Sequence, residues 1–181
     1  MNVFYLDKNT WECAKMHCDK HIVKMIIEYA QLMSTAHRVL DGTQYTEIQN
    51  GRKIKRWRHG RDNYEQLLYK ASHISHPSAI WVRNNASNYN WLYRLWVGLC
   101  CEYTHRYGKI HLTENKLYDI INNIPLNIPK GDFTDPPPAM PDYCKLDTSI
   151  KSYRNYYLKE KSRFAKWTKR DIPLWFKNAY I

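Results

Sequence analysis

The chain has 181 residues, with 28 lysines and arginines against 17 aspartates and glutamates, so its formal charge is +11. This length predicts one domain, residues 1–181, large enough to bury a core. The basic excess indicates a polyanionic partner, and nucleic acid is the commonest one. No apolar run approaches the ~20 residues of a membrane-spanning helix, so we expect no contact with a membrane.

The cysteine pattern indicates a reducing compartment. The five cysteines are odd in number and lack the spacing of a secreted disulfide framework. No signal-peptide pattern opens the chain. We therefore expect a cytoplasmic protein, and we predict that it is a monomer with no cofactor and no metal.

The first part of the chain predicts one long helix and one short helix. Residues 2–6 form an apolar start that is expected to be extended or to pack across a helix. Helical periodicity then runs from about residue 10 to residue 40 and stops near Gly42. The polar, basic stretch 43–60 is predicted to be a loop, and apolar spacing predicts a short helix over 61–72.

The second part predicts three further helices and one irregular segment. Gly108 ends the clearest helix, whose apolar residues recur three and four apart. Thr113 is predicted to cap a short helix, and six prolines make 125–147 a rigid, irregular connector. A last helix, over 148–158, opens a basic and aromatic tail at 148–181. With no convincing strand pair, the predicted fold is mainly α, a compact single-domain helical bundle.

A stripe of titratable side chains borders the apolar face of the first helix. It contains His17, His21, Lys24 and Glu28. The helical spacing of Cys13, His17 and His21 is compatible with zinc, but one helix does not easily supply a fourth ligand, so buried, hydrogen-bonded histidines are favoured. Glu28 is a candidate general acid or base. The simpler interpretation is an ion pair with Lys24, worth ~0.3–0.5 kcal/mol.

An amino group is the third candidate for chemistry. Imine formation needs an unprotonated amine, and an ordinary α-amine loses its proton about two to three pH units below an ordinary lysine. The apolar start of the chain can place the amine of Met1, or of Asn2 after removal of the methionine, beside Glu28. A frayed terminus is the alternative.

Two basic runs are candidate nucleic-acid surfaces, because cations bind phosphates while aromatic rings stack on exposed bases. The first run contains Arg52, Lys53, Lys55, Arg56, Arg58 and Arg61. The second, at 151–170, intersperses aromatic residues among its cations. A solvated surface is the alternative for both runs.

The segment HPSAIWV at 76–82 contains a serine close to a histidine. It lacks the GxSxG nucleophile elbow of a serine hydrolase. It is therefore interpreted as structural or as a loop that faces a ligand, with Arg83 directly after it.

Three segments in order resemble the pyrimidine-dimer DNA glycosylases, the family of phage endonuclease V and its bacterial relatives. They are CDKHIVKMIIEYAQLM at 18–33, HPSAIWV at 76–82 and YNWLYRLWVGLCCEYTHRYGK at 89–109. Within the third segment, Glu102, Tyr103, Arg106 and Gly108 match the Glu-aromatic-x-x-Arg-x-Gly end of the family's helix. The run 153–157 resembles the aromatic and basic end of the phage enzyme.

The resemblance implies an endonuclease V-like domain that binds double-stranded DNA and exposes bases for repair in the nucleoid or in a phage-infected cell. It implies cleavage of the N-glycosidic bond at a cyclobutane pyrimidine dimer, followed by AP lyase β-elimination. In this family an N-terminal α-amine attacks the sugar C1′. In this chain that amine would belong to Met1 or to Asn2. Glu28, seven residues after His21, then stabilises the cationic intermediate, and His21 contacts a phosphate or sugar. The expected substrate and DNA contacts are His21, Lys24, Arg38, Arg56, Arg58, Arg83, Arg154, Tyr156, Tyr157 and Lys161.

The sequence departs from the family at two places. Ile27 and Gln31 stand where the phage enzyme has arginines, so Lys24 or Arg38 is expected to substitute for them. Asn2 disfavours methionine removal, so Met1 offers its own amine, or Glu28 activates water directly. A non-catalytic nucleic-acid-binding protein is one alternative. The other is an enzyme on the same scaffold that acts on a modified base or nucleotide, or at a metal centre formed by His17 and His21.

Overall fold

Two long helices pack against each other at the centre of the computed structural model, which describes residues 1–180. They are α2, Asp19–Asp41, and α5, Ala86–Tyr107. The indole Nε1 of Trp96 donates to the backbone oxygen of Ile26 at 2.9 Å, so a polar group is satisfied within this apolar contact. The predicted helix through 89–103 is confirmed, and Gly108 ends it in the left-handed conformation, with φ 69°.

The single helix predicted over 10–40 is wrong, because the chain breaks between α1, Thr10–Met16, and α2. His17 and Cys18 are extended, with ψ of 131° and 162°. Arg106 of α5 donates to the backbone oxygens of Lys15 and His17 at 3.0 and 2.9 Å, at the end of α1. A buried cation thus binds the carbonyls that the break leaves without helical partners.

The stretch 43–60 is a β-hairpin, not the predicted loop. Strand β1, Gly42–Gln49, pairs antiparallel with β2, Arg52–His59. Asn50 and Gly51 join them with φ of 51° and 74°, which is the backbone that a two-residue hairpin turn requires. The Asn-Gly pair was visible in the sequence, but the mostly exposed strands lack an alternating apolar pattern.

The remaining helices are short and flank the central pair. They are α3 Asp62–Leu67, α4 Pro77–Asn84, α6 Leu112–Ile121, α7 Ser149–Tyr156 and α8 Leu174–Lys177. The helix predicted over 61–72 is shorter than expected, and His111 rather than Thr113 caps α6 through its side chain. A π-helical turn, Tyr157–Lys161, follows α7 directly. The prediction of a mainly α protein is confirmed, with eight α-helices and one two-stranded sheet within residues 1–180.

The N-terminal segment lies extended against α2, as expected from its apolar sequence. Residues 3–6 are buried. The Phe4 amide donates to the Tyr29 hydroxyl at 2.9 Å, and Arg154 Nε donates to the Leu6 oxygen at 2.9 Å. The segment is therefore held on one side by α2 and on the other by α7.

The proline-rich connector 125–147 is irregular, as predicted, apart from one 3-10 turn at Asp142–Cys144. The buried side chain of Asn88 anchors it by accepting from the Thr134 amide at 2.9 Å and donating to the Thr134 hydroxyl at 3.1 Å. The connector thereby covers the start of α5. No helix within residues 1–180 combines the length and the apolar character needed to cross a membrane.

Arg38 is a structural anchor, and its predicted contact with DNA is wrong. The residue is 3% exposed. Its guanidinium donates to the backbone oxygens of Trp57, Glu65, Leu68 and Tyr69 at 2.7–3.1 Å and to the Glu65 carboxylate. All five N–H donors of the guanidinium are used within the protein. Arg38 thus ties the end of α2 to β2 and α3.

Replacement of this anchor is expected to destabilise the fold. Arg38→Met should lower the free energy of unfolding by about 3 kcal/mol or more, because several buried carbonyls lose their donor. Arg56→Met is the matched control, since Arg56 pairs with Glu47 on the hairpin surface and should cost less than about 1 kcal/mol. Urea denaturation of both variants measures the difference, and equal losses would contradict the anchoring role.

Candidate active site

A cleft of about 190 Å³ opens where the N-terminal segment, α2 and the segment around α7 meet. Its lining residues are Met1, Asn2, Phe4, His21, Lys24, Glu28, Tyr156 and Lys161. All of these except Phe4 were predicted from the sequence as site residues. Larger hollows of about 520 and 590 Å³ exist elsewhere, but neither contains Glu28 or the amino terminus.

Three of the lining side chains come from one edge of α2. His21, Lys24 and Glu28 follow each other at three and four residues, so helical geometry places them in line. Lys24 Nζ lies 3.2 Å from Glu28 Oε1, and the two side chains are 66% and 18% exposed. The ion pair that was the simpler interpretation therefore forms. Because its lysine is exposed, it is weak and leaves the carboxylate available to a ligand.

His21 is a neutral wall of the cleft. It is 5% exposed, and its Nδ1 is hydrogen-bonded to the Tyr157 hydroxyl. The ring of Phe4 lies 4.3 Å away between centroids. Burial, reinforced by neighbouring positive groups, lowers the pKa of His21 to about 2. His21 is thus uncharged at neutral pH and cannot serve as a cationic phosphate contact.

Adjacent tyrosines at the end of α7 take different roles. Tyr157 is fully buried and positions His21, so its predicted contact with DNA is wrong. Tyr156 lines the cleft, with its ring parallel to that of Phe4 at 6.1 Å and 6°. Lys161 Nζ lies 4.4 Å from the centre of the Tyr156 ring. The π-helical turn brings Lys161 back over the cleft.

The other predicted DNA-binding arginines lie outside the cleft. Arg154 is used to hold the Leu6 oxygen. Arg83 donates to the carbonyl one turn earlier in α4 at 2.7 Å, and burial lowers its pKa. Arg56 and Arg58 sit on β2, where Arg58 is exposed and lies over the ring of Tyr45 at 5.4 Å. The hairpin therefore presents a separate basic surface.

His17 is buried and hydrogen-bonded, as the favoured interpretation expected. Its Nδ1 lies 2.7 Å from the Cys13 oxygen and its Nε2 lies 3.3 Å from the Tyr29 hydroxyl. Burial lowers the pKa of His17 to about 4. Both ring nitrogens are occupied, so the zinc alternative at Cys13, His17 and His21 has no structural support.

His76 is a neighbour of the cleft that the sequence did not single out as a site residue. Its Nδ1 accepts from the Ser78 amide at 3.1 Å and caps α4, so the neutral ring carries its proton on Nε2. Burial is the main cause that lowers the pKa of His76, the charge of the amino terminus adds to it, and Glu28 opposes it. The 76–82 segment is thus structural and also lies near the candidate site.

Comparison with known proteins adds no identification. No protein-family model, curated protein or solved structure matches the chain. The resemblance to the pyrimidine-dimer glycosylases therefore depends on the sequence segments alone. The endonuclease V-like form of the fold stays a prediction.

The buried histidines predict how stability responds to acid. A histidine in the unfolded chain has a pKa near ~6.5, whereas burial lowers the pKa of His17 and His21 in the folded protein. Below pH ~6.5 the unfolded chain therefore binds protons at these two residues and the folded protein does not. Stability is therefore complete above that pH and is lost as the pH falls toward the lowered folded values. When the pH falls from 7 to 5, each of these two histidines should lower the free energy of unfolding by up to about 2 kcal/mol.

Urea denaturation at the two pH values measures this loss. His17→Gln should reduce the pH dependence by one histidine's share, whereas the exposed His105→Gln should leave it unchanged. A free energy of unfolding that is equal at pH 7 and pH 5 would show that these histidines are not buried in their neutral form.

Proposed function

We propose that the protein is a DNA glycosylase that cleaves the N-glycosidic bond of a damaged pyrimidine, such as a cyclobutane dimer, and has AP lyase activity. The observation that carries the proposal is that Met1 and Glu28 line the same cleft, although they are 27 positions apart in the sequence. This is the pair that the resemblance to the pyrimidine-dimer glycosylases requires. The net charge of +11 supports a nucleic-acid partner.

The charges of the cleft suit an anionic DNA strand. Lys24, Lys161 and the amino terminus face a single lining carboxylate, that of Glu28. The side-chain amines of Lys24 and Lys161 are expected to hold the phosphates on either side of the reacting sugar. The parallel rings of Phe4 and Tyr156 form an aromatic wall on which an unstacked base or sugar can rest.

The proposed chemistry assigns one role to the amine and one to Glu28. The α-amine lone pair forms a bond to C1′ while the C1′–N bond breaks, and its electron pair leaves with the base, which takes a proton from water. Glu28 accepts the proton that the attacking amine loses. The amine nitrogen's remaining lone pair then forms the C1′=N bond while the C1′–O4′ bond breaks, and O4′ takes the proton that Glu28 holds, which gives a protonated imine. The Glu28 carboxylate then removes a proton from C2′, a C2′–C3′ double bond forms, and the 3′-phosphate leaves with the electron pair of the C3′–O bond.

A trapping experiment tests the amine. Wild-type protein, dimer-containing duplex DNA and sodium borohydride should give a covalent protein–DNA adduct, because borohydride reduces the imine. Digestion and mass spectrometry should place the adduct on the first residue of the chain, and intact mass identifies that residue as Met1 or Asn2. Cleavage of the duplex without any adduct would exclude the amine and leave activation of water by Glu28.

Replacement of the carboxylate separates catalysis from ion pairing. Glu28→Gln should lower the rate of N-glycosidic bond cleavage at least ~100-fold, the typical contribution of a general acid or base. Lys24→Gln breaks the same ion pair but keeps the carboxylate, so it should cost less than about tenfold. Equal losses would assign Glu28 to the ion pair, and full activity in Glu28→Gln would remove Glu28 from the chemistry. DNA binding without any cleavage by the wild-type protein would favour a non-catalytic DNA-binding protein.

The phosphate role of Lys161 predicts a change in salt dependence. Lys161→Gln should reduce the slope of log affinity against log salt concentration by about 1 for duplex DNA, because one phosphate contact is lost. Lys177→Gln, an exposed lysine that does not line the cleft, is the control and should leave the slope closer to wild type. Fluorescence anisotropy at several salt concentrations gives the slopes, and equal slopes for wild type and Lys161→Gln would remove Lys161 from the interface.

A further inference from the structure

A second group of potential ligands lies at the other end of α2. His37 and Asp41 occupy its last turns, and His59 ends β2. One ring nitrogen of each histidine and one Asp41 carboxylate oxygen lie within 4.8 Å of one another. His37 is nine residues from Glu28, about 13 Å along the helix axis. The group is therefore separate from the cleft and independent of the proposed function.

Two ring nitrogens of this group have no hydrogen-bond partner. Nδ1 of His37 and Nε2 of His59 are buried and unpaired in the structure, and the two residues are only 1% and 6% exposed. A buried polar atom without a partner destabilises the fold. Two such nitrogens beside one carboxylate form a candidate site for a cation.

The hydrogen bonds of His37 orient its ring for coordination. The Tyr89 hydroxyl donates its proton to the Ile121 oxygen at 3.0 Å. It must therefore accept from His37 Nε2–H, which lies 2.9 Å away. In the neutral ring, Nδ1 is then left with its lone pair. An outer hydrogen bond that fixes the ring in this way is the usual companion of a metal-binding histidine.

Asp41 is likewise held in place as a carboxylate. Its Oδ2 accepts from the Leu126 amide at 2.7 Å, and its Oδ1 accepts from the amide and the side chain of Asn127 at 2.9 and 3.1 Å. Oδ2 lies 4.0 Å from His37 Nδ1. The carbonyl end of α2 adds a negative potential that favours a cation here.

His59 must adjust on binding. Its Nδ1 accepts from the Arg61 amide at 3.1 Å, so its Nε2 carries the proton when the ring is neutral. Coordination through Nε2 moves that proton to Nδ1 and breaks this bond. Ligand atoms around zinc are about 3.3 Å apart for bonds of 2.0–2.1 Å, so His59 must also move toward α2. Arg61 and Asp119 line the same hollow beside this group. The positive charge of Arg61 opposes the binding of a cation, whereas the negative charge of Asp119 favours it.

We propose that His37, Asp41 and His59 bind one divalent transition-metal ion, with zinc as the best match to two imidazoles and a carboxylate. Three protein ligands leave a fourth position for water. Asp41 directly precedes β1, and Gly42 pairs with His59. The ion therefore closes the base of the hairpin and clamps it to α2. His37 and Asp41 also line a hollow of about 520 Å³, together with residues that include Asn63, Asp119 and Asn123.

Metal binding can be measured on tag-free protein treated with a chelator and then dialysed free of it. Titration with zinc against a chromophoric competitor should show one ion per chain. Zinc at a hundredfold excess over its Kd should raise Tm by roughly 5–10 °C. Cobalt in its place should give the visible absorption bands of a low-coordinate site.

Two variants and one control identify the ligands. His59→Gln and His37→Gln should each weaken zinc binding at least ~100-fold and abolish the rise in Tm and the cobalt bands. His105→Gln, an exposed histidine far from the group in sequence, should bind zinc like wild type. Circular dichroism of the metal-free variants checks that they fold. If only one of the two histidine variants folds, that variant alone tests the proposal. Zinc binding weaker than about 100 µM in wild type, or unchanged in both histidine variants, would overturn the proposal.

Discussion

At the junction of α1 and α2, the buried guanidinium of Arg106 binds two backbone oxygens and the carboxylates of Asp19 and Glu102. The side chain is 0% exposed, and Glu102 is 6% exposed in its side chain. Loss of Arg106 would leave the two buried backbone oxygens without their donor, which costs about 1–3 kcal/mol for each group. The break between the two helices is possible because Arg106 satisfies the groups that the break exposes.

The same junction also fixes the C-terminal part of the chain. Asp19 accepts from the Thr168 amide and hydroxyl at 2.8–3.2 Å, and its own amide donates to the Lys166 oxygen. Arg170 pairs with Glu102 at 2.7 Å. Because the tail is anchored at the start of α2, the preceding π-helical turn and Tyr156 are brought against the N-terminal segment. The candidate cleft is thus a consequence of how Arg106 and Asp19 connect α5, α2 and the tail.

Helix α2 carries two kinds of polar group under different constraints. At Glu28 the carboxylate is half-buried and only weakly paired, so a substrate can engage it. At His37 and Asp41 the side chains are fixed by hydrogen bonds to α5 and the connector, so two of the three proposed ligands are already held in place. A polar cleft lined by amines is suited to react with an anionic strand. Buried side chains with fixed orientations are suited to bind an ion.

The sequence by itself determined the features that depend on local periodicity. It predicted α5 and its glycine stop, the irregular connector, and the alignment of His21, Lys24 and Glu28 on α2, because these three residues follow each other at intervals of about one helical turn. Most of the cleft lining followed from the same reasoning joined to the family resemblance. The hairpin was missed because its exposed strands lack an apolar alternation, although the Asn-Gly turn was present.

Only the tertiary structure decided which polar residues are buried and with what partners. Arg38 and Tyr157 were expected to contact DNA, but both are buried and hold other parts of the protein in place. The tertiary structure also places Phe4 in the lining of the cleft and His59 next to His37. Each of these outcomes depends on contacts between residues 19 to 152 positions apart. A helical or strand period relates only near neighbours, so it carries no information on such contacts.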